Sequence, residues 1–189
     1  MSIERLKERL PDHARDLRIN LCVITSSTML TSQQAWGAAL AAAVTSRNPE
    51  VVDAIAADAQ LSPAAAAAAR GAAAIMGMNN IYYRFQHVMG DGSVYAQLPA
   101  RLRMQLMGNP GVGHVDFELW CRAASVITGC DDCVRAHEVT VRDRGGTTEQ
   151  VQDVVRIAAV VHAVALTLDS TPAALAPELT KVPAKLALS

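Results

Sequence analysis

Apolar residues recur along this chain at the three- and four-residue spacing of amphipathic helices, and no segment alternates as a β-strand would. The spacing predicts a first helix over residues 3–10, a second that ends at about residue 22, and a short one after residue 77. It also predicts helices over 33–46, 62–76, 116–127, 130–144 and 148–168. The tail from residue 170 contains three prolines and is expected to form a short helix or a loose extension. The pattern therefore predicts an all-α fold.

Local sequence also predicts where several helices begin and end. Ser62 before Pro63 is typical of a helix start, because the serine hydroxyl accepts a free backbone N–H and proline fits the first turn. Thr147 with Gln150 predicts a capping box for the last long helix. Turns are expected in GDGS, residues 90–93, and in GNPGVG, residues 108–113.

Composition and charge narrow the class of protein. The 189 residues suit a single domain over 1–189; 51% are hydrophobic but only 4% aromatic, and alanine, the best helix former, dominates. The net charge of −1 and the lack of a basic run argue against nucleic acid as a partner. The charged N-terminus lacks the apolar core of a signal peptide, and Arg70 interrupts the most apolar stretch. We expect a cytoplasmic protein with no membrane span.

Two short segments suggest an internal repeat. LRINL at 17–21 is echoed by LRMQL at 102–106, and AAAIMG, ending at Gly77, by ASVITG, ending at Gly129. If the chain is a duplication, its halves are approximately 1–95 and 96–189. Only the second half would then carry polar chemistry after its glycine.

That chemistry lies in GCDDCVRAHE, residues 129–138. On a helix, Cys130, Cys133 and His137 fall within about 60° of one face. Cysteines in a first helical turn meet free backbone N–H groups and the positive end of the helix dipole, which favour the nucleophilic thiolate. His137 could exchange a proton with Cys133, and the second thiol could resolve an oxidised cysteine into a disulfide. These are the parts of a thiol peroxidase or disulfide reductase.

Other interpretations of the same residues stay open. Zinc sites commonly take four ligands, and Cys130, Cys133 and His137 supply three, so a zinc-binding helical interaction module would need Cys121, Glu118 or His162 as well. The pair could also be incidental core packing. Glu118, on the preceding helix, could orient His137 or relay its proton, or it could be a surface or capping residue.

Isolated cysteines and histidines elsewhere have simpler interpretations. Cys22 and Cys121 stand among apolar neighbours and are expected to be buried, inert thiols. His87 and His162 lie in helical segments and are expected to be structural.

At these residues the chain resembles the alkyl hydroperoxidase D (AhpD) family, within the carboxymuconolactone decarboxylase-like proteins. The resemblance spans nearly the whole chain, with matching segments at 1–21, 47–49, 71–80, 109–111, 117–120 and the Cys-x2-Cys-x3-His helix. It implies an AhpD-like helical fold of two related halves, assembled as a homotrimer, with neither a metal nor an organic cofactor.

The resemblance also implies a function and roles for the site residues. The function is antioxidant: reduction of alkyl hydroperoxides and recycling of an oxidised peroxiredoxin, with electrons from dihydrolipoamide on a lipoylated acyltransferase. By matched position, Cys133 attacks the peroxide and becomes sulfenic acid, and Cys130 resolves it and donates a proton. Glu118 and His137 form the proton relay. A decarboxylase-like activity is the alternative within the same superfamily, although it would need no second cysteine.

Asp132 departs from this family pattern, which places a histidine immediately before the second cysteine. A carboxylate about 5 Å from a thiolate, at an effective dielectric near 20, would cost about 3 kcal/mol. Asp132 points about 100° around the helix from Cys133, however, and Arg135 lies three residues along, within pairing distance. Asp132 and Arg135 are therefore expected to be modulators, with Arg135 drawing the carboxylate away from the thiols.

Overall fold

A computed structural model describes residues 2–171, and within that range the chain is helical with no β-strand. The prediction of an all-α fold is confirmed. The α-helices are α1 (Ile3–Arg9), α2 (Arg15–Asn20), α3 (Val23–Ser26), α4 (Ser32–Ser46), α5 (Pro49–Asp58), α6 (Pro63–Met89), α7 (Gln105–Gly108), α8 (His114–Thr128), α9 (Asp131–Asp143) and α10 (Thr148–Ser170). Short 3-10 helices cover Asp12–Ala14 and Val94–Gln97.

Helix α4 lies at the centre and packs against α5, α6, α8 and α10. It is buried on most of its surface, and its core residues are mainly alanines, whose small side chains let neighbouring helices approach closely. Gly37 permits the closest approach, because a Cβ there would overlap the fully buried indole of Trp120 on α8. The Trp120 indole N–H donates to the Gln34 carbonyl at 3.1 Å, so α4 and α8 are also joined by a buried hydrogen bond.

The helix order α4–α5–α6 is repeated by α8–α9–α10. Arg47 ends α4 and Gly129 ends α8, both in the left-handed backbone region with φ of 63° and 70°. The next residue in each case, Asn48 or Cys130, caps the following helix through its side chain. Helix α6 packs against α8 and α10 packs against α4. Descent of the two halves from a duplication stays a prediction.

The predicted stop at Gly77 is wrong. Helix α6 runs unbroken for 27 residues, and Gly77 is in its interior. A glycine costs a helix only about 1 kcal/mol relative to alanine, and the buried contacts of α6 on both sides of Gly77 outweigh that cost. Gly77 is therefore not equivalent to Gly129, which lies at a helix joint, so that part of the repeat alignment is wrong as well.

Other boundaries differ less. The second predicted helix is divided into a 3-10 turn and α2, while the sequence predicts none of α3, α5 and the short α7. Helix α5 begins as helices often do, with Asn48 as the cap and Pro49 in the first turn. The capping box of Thr147 with Gln150 is confirmed. The predicted tail lies outside the described residues, apart from its first two positions.

Helix α10 is long and apolar enough to cross a membrane by length and composition, with a mean hydropathy of 1.6. It is the one helix of the described chain that meets this test. Its apolar residues at 151, 154, 157, 158, 161, 164, 165 and 168 are buried in the core. That burial is typical of a core helix in a globular protein.

Candidate active site

Two cysteines meet at the joint between α8 and α9. Gly129 reverses the chain in the left-handed conformation, and Cys130 caps α9, with its sulfur accepting the Cys133 backbone N–H at 3.4 Å. Cys130 and Cys133 are joined in a disulfide, with their Cα atoms 5.3 Å apart. The predicted pair is therefore brought together at a helix N-terminus, where free N–H groups and the dipole favour a thiolate on reduction.

The two cysteine residues differ slightly in burial. Cys130 is completely buried, whereas Cys133 keeps 6% of its surface exposed. The equivalent positions at the α4–α5 joint carry Asn48 and Val51, which cannot do thiol chemistry.

Glu118 and His137 form a buried pair between α8 and α9. The Glu118 carboxylate, on α8, accepts a hydrogen bond from His137 Nδ1, on α9, at 2.6 Å. Both side chains are only 8% exposed. A carboxylate accepts hydrogen bonds but cannot donate them, so Nδ1 carries the hydrogen and the ring orientation is set. Glu118 is thus neither a surface residue nor a helix cap.

The second nitrogen of His137 faces a residue that the sequence interpretation did not single out for chemistry. Nε2 lies 3.1 Å from the sulfur of Met76, which is 1% exposed on α6. Thioether sulfur accepts hydrogen bonds only weakly and donates none, so Nε2 donates to Met76 only when the ring carries hydrogens on both nitrogens. In the neutral ring, with its hydrogen on Nδ1, Nε2 is left as a free acceptor. Within the described chain, neither disulfide sulfur is hydrogen-bonded to His137.

Helix α6 is also tied to the α8–α9 joint by polar contacts. Asn80 donates to the Thr128 hydroxyl at 2.7 Å and accepts from the Ser125 hydroxyl at 3.1 Å. Arg84 donates to the Thr128 carbonyl at 3.0 Å, which satisfies a free carbonyl at the end of α8. These bonds fix the position from which α9 starts, and with it the position of the dithiol.

Arg122 links α8 to α9 directly. Its guanidinium donates to the Val134 carbonyl at 2.6 Å. Burial lowers the pKa of Arg122, and the nearby Glu138 carboxylate partly opposes that shift. The contact holds α9 against α8 at the residue that follows Cys133.

The remaining cysteines fall into different environments. Cys121 is buried on α8, as predicted, and burial raises the pKa of its thiol well above the ordinary value, with the Glu118 charge adding to the rise. Cys22 is exposed, so its predicted burial is wrong. It follows α2 and precedes the short α3, and the apolar neighbours along the sequence turn inward without it.

The modulators predicted around the dithiol have an unexpected arrangement. Asp132 lies 3.8 Å from Arg135, but its nearer partner is His87 on α6, whose Nδ1 is 3.1 Å from the carboxylate. The sequence predicts a structural role for His87 but names no partner for it. Contacts of this kind, between residues far apart along the chain, leave no trace in local spacing.

The zinc ligands considered above are not grouped together within residues 2–171. No three His, Cys, Asp or Glu side chains of this range are grouped to hold an ion. His162, one of the ligands considered for zinc, contacts the Ser46 hydroxyl at 3.0 Å instead.

Comparison with known proteins places the chain in a family. A model described as the carboxymuconolactone decarboxylase family matches residues 94–176. The chain is 54% identical over 175 residues to the alkyl hydroperoxide reductase AhpD of Rhodospirillum centenum, covering 92% of this chain and 94% of that protein. The chain belongs to the AhpD family.

Further AhpD proteins are similar over the same length. The alkyl hydroperoxide reductase AhpD of Gluconacetobacter diazotrophicus is 55% identical over 176 residues, 92% of this chain and 96% of that protein. The alkyl hydroperoxide reductase AhpD of Frankia alni is 50% identical over 178 residues, which cover 90% of this chain and 92% of that protein. The family resemblance inferred from the sequence is confirmed.

Proposed function

We propose that this protein is an antioxidant alkyl hydroperoxide reductase that cycles Cys130 and Cys133 between dithiol and disulfide. The observation that carries the proposal is the Cys130–Cys133 disulfide at the start of α9, the helix that also carries His137 with its buried partner Glu118. Membership of the AhpD family supports it, since the similar proteins are named alkyl hydroperoxide reductases.

The first step of the proposed cycle is attack on the peroxide. The Cys133 thiolate attacks the terminal oxygen of the hydroperoxide, the O–O bond breaks, and the alkoxide leaves as an alcohol after taking a proton. Cys133 becomes sulfenic acid. Its 6% exposure, against none for Cys130, supports Cys133 as the attacking residue.

The second step closes the disulfide. The Cys130 sulfur attacks the Cys133 sulfur, the S–O bond breaks, and water leaves with the Cys130 proton. The sum is that a dithiol and a hydroperoxide give a disulfide, an alcohol and water. An external dithiol then reduces the disulfide by thiol–disulfide exchange.

Glu118 and His137 act in this proposal as the proton relay. The 2.6 Å bond between them would stabilise positive charge on the imidazole when it accepts a thiol proton. In the disulfide neither sulfur carries a proton, which agrees with the contact of Nε2 with Met76 rather than with a thiol. The relay therefore operates in the reduced state.

Partners and location are part of the proposal. By family resemblance, dihydrolipoamide on a lipoylated acyltransferase reduces the Cys130–Cys133 disulfide to the dithiol. The dithiol in turn reduces an oxidised peroxiredoxin and returns to the disulfide. The assembly would be a homotrimer. A free, exposed Cys22 suits the reducing cytoplasm, where thiols are kept reduced.

Two cysteine variants test the assigned roles. Cys133→Ser is expected to abolish peroxide consumption, since no attacking thiolate remains. Cys130→Ser is expected to consume peroxide once and stop, leaving sulfenic acid on Cys133 that a dimedone-type probe captures. Cys22→Ser, which changes an exposed thiol outside the site, is the matched control and should turn over normally. Identical behaviour of the Cys133 and Cys130 variants in a single turnover would refute the assignment.

The decarboxylase alternative can be tested on the same samples. The description of the matched family model favours it, but the disulfide does not, because decarboxylation requires no pair of thiols. Carbon dioxide release from a muconolactone carboxylate, unaffected in Cys130→Ser, would be the result in its favour.

A further inference from the structure

Asp132 lies in the first turn of α9, immediately before Cys133 in the sequence. Its closest charged or titratable partner is not on its own helix. His87 Nδ1, on α6, lies 3.1 Å from one carboxylate oxygen, whereas Arg135 lies 3.8 Å from the other. Arg135 is 73% exposed, so solvent weakens its hold on the carboxylate.

The position of this carboxylate matters for the thiol next to it. A negative charge near a cysteine disfavours the thiolate, the form that attacks a peroxide. The Asp132 side chain is 45% exposed, so few packing contacts would restrain it if its partners were absent. Restraint of the carboxylate must therefore come from His87 and, more weakly, from Arg135.

His87 is well placed for this task because α6 already holds the other side of the same joint. Arg84, one turn before His87, donates to the Thr128 carbonyl at the end of α8. His87 contacts Asp132 at the start of α9. Together the two α6 side chains bracket Gly129 and Cys130, where the chain reverses.

We propose that His87 is a positioning residue for the dithiol: its bond to Asp132 holds the carboxylate against α6 and away from the Cys133 sulfur. This inference rests on the proposed function, in which the Cys133 thiolate attacks the peroxide. His87 touches neither sulfur and acts through Asp132 alone. Its effect on Cys133 must therefore vanish when Asp132 carries no charge.

A double-mutant comparison tests that dependence without any peroxide. The reduced protein is treated with iodoacetamide at one neutral pH, and alkylation of Cys133 is followed by peptide mass spectrometry, because its rate reports the thiolate fraction. The variants are His87→Ala, His87→Asn, Asp132→Asn and His87→Ala with Asp132→Asn. Asparagine places an amide N–H near the position of Nδ1. His13→Ala removes an exposed histidine from another element and is the control.

His87→Ala is expected to slow alkylation of Cys133 about two- to fivefold, the range that loss of one partly exposed hydrogen bond to a charged group produces. His87→Asn should stay within about twofold of the parent, as should His13→Ala. In the Asp132→Asn background, His87→Ala should have no further effect. Any of three results would overturn the inference. The alkylation rate could be unchanged in His87→Ala, it could fall equally with and without Asp132→Asn, or it could fall in His87→Asn as much as in His87→Ala. Failure of the parent protein to consume peroxide would instead refute the proposed function and leave this measurement intact.

Discussion

The four cysteines of this chain differ in chemistry because their surroundings differ. Cys130 and Cys133 share a helix N-terminus and a disulfide. Cys121, one turn from Glu118 on the same helix, is buried in the core, and Cys22 faces solvent. Spacing along one helix was enough to predict the first pair. The burial of an isolated cysteine depends on whether its side chain faces the core, which apolar neighbours in the sequence do not decide; the prediction is therefore right for Cys121 and wrong for Cys22.

Because of Cys121, the free energy of unfolding should fall as the pH rises into the alkaline range. Burial raises the pKa of this thiol in the folded protein, while in the unfolded chain it titrates near its ordinary value of about 8.5. Above that value the unfolded state loses a proton that the folded state keeps, so the free energy of unfolding falls as pH rises. Chemical denaturation of the reduced protein at a series of pH values measures the slope.

Cys121→Ala should flatten that slope above about pH 8.5, although it also lowers stability at every pH by opening a small cavity. Cys22→Ala is the control and should leave the slope unchanged, because that thiol is exposed in both states. Equal slopes in the parent and Cys121→Ala would show that the buried thiol does not contribute.

Helix α6 is the element that completes the site, and local sequence alone did not predict its role. It provides Met76 to His137, Asn80 and Arg84 to the end of α8, and His87 to Asp132. All of these contacts join residues more than forty positions apart, whereas the predicted constellation of Cys130, Cys133 and His137 lies within one helix. A stop predicted at Gly77 divided α6 in two and hid the alignment of its two ends.

Two glycines in helix interiors offer a test of the packing around α4 and α6. A Cβ at Gly77 would meet nothing within 4 Å, whereas one at Gly37 would overlap the Trp120 indole. Gly77→Ala should therefore raise the free energy of unfolding by about 0.4–1 kcal/mol. Gly37→Ala should lower it by about 1–3 kcal/mol, because the buried indole must move.

Urea denaturation of both variants measures these changes, and each variant is the other's control, since both replace a helical glycine by alanine. Loss of stability in Gly77→Ala would mean that α6 is packed differently around residue 77. An unaffected Gly37→Ala would mean that α4 and α8 are not in such close contact.

At the scale of the whole molecule, composition predicted the class of fold but not its topology. Alanine-rich, aromatic-poor sequence favours closely packed helices, and that is what surrounds α4. Which helix lies beside which depends on distant pairs such as Gly37 with Trp120. The short repeats in the sequence were not sufficient to align the halves, because the residues at the two joints, Arg47–Asn48 and Gly129–Cys130, share a conformation rather than an identity.

The described surface also carries an apolar stripe that bears on assembly. Ile81, Phe85 and Val88 of α6 lie on one helix face and are 65%, 45% and 75% exposed. Contiguous exposed apolar side chains favour association, and homo-oligomers are the commonest outcome. We expect this stripe to be covered by another copy in the proposed homotrimer.

Val88→Glu should therefore yield monomers, because it places a charge in that contact. Ile19→Glu, at a residue of α2 that is 70% exposed, should remain trimeric and is the matched control. Size-exclusion chromatography with light scattering reads the mass directly. A monomeric parent protein would contradict the homotrimer, and a trimeric Val88→Glu would contradict the role of the stripe.

The most direct test of the dithiol cycle is a thiol count of the reduced protein before and after one equivalent of an alkyl hydroperoxide, followed by disulfide mapping of the product. The proposed cycle consumes two thiols for each peroxide and joins Cys130 to Cys133 within one chain, leaving Cys22 and Cys121 free. A peroxide-induced bond that includes Cys22 or Cys121, or peroxide consumed with no loss of thiols, would contradict it.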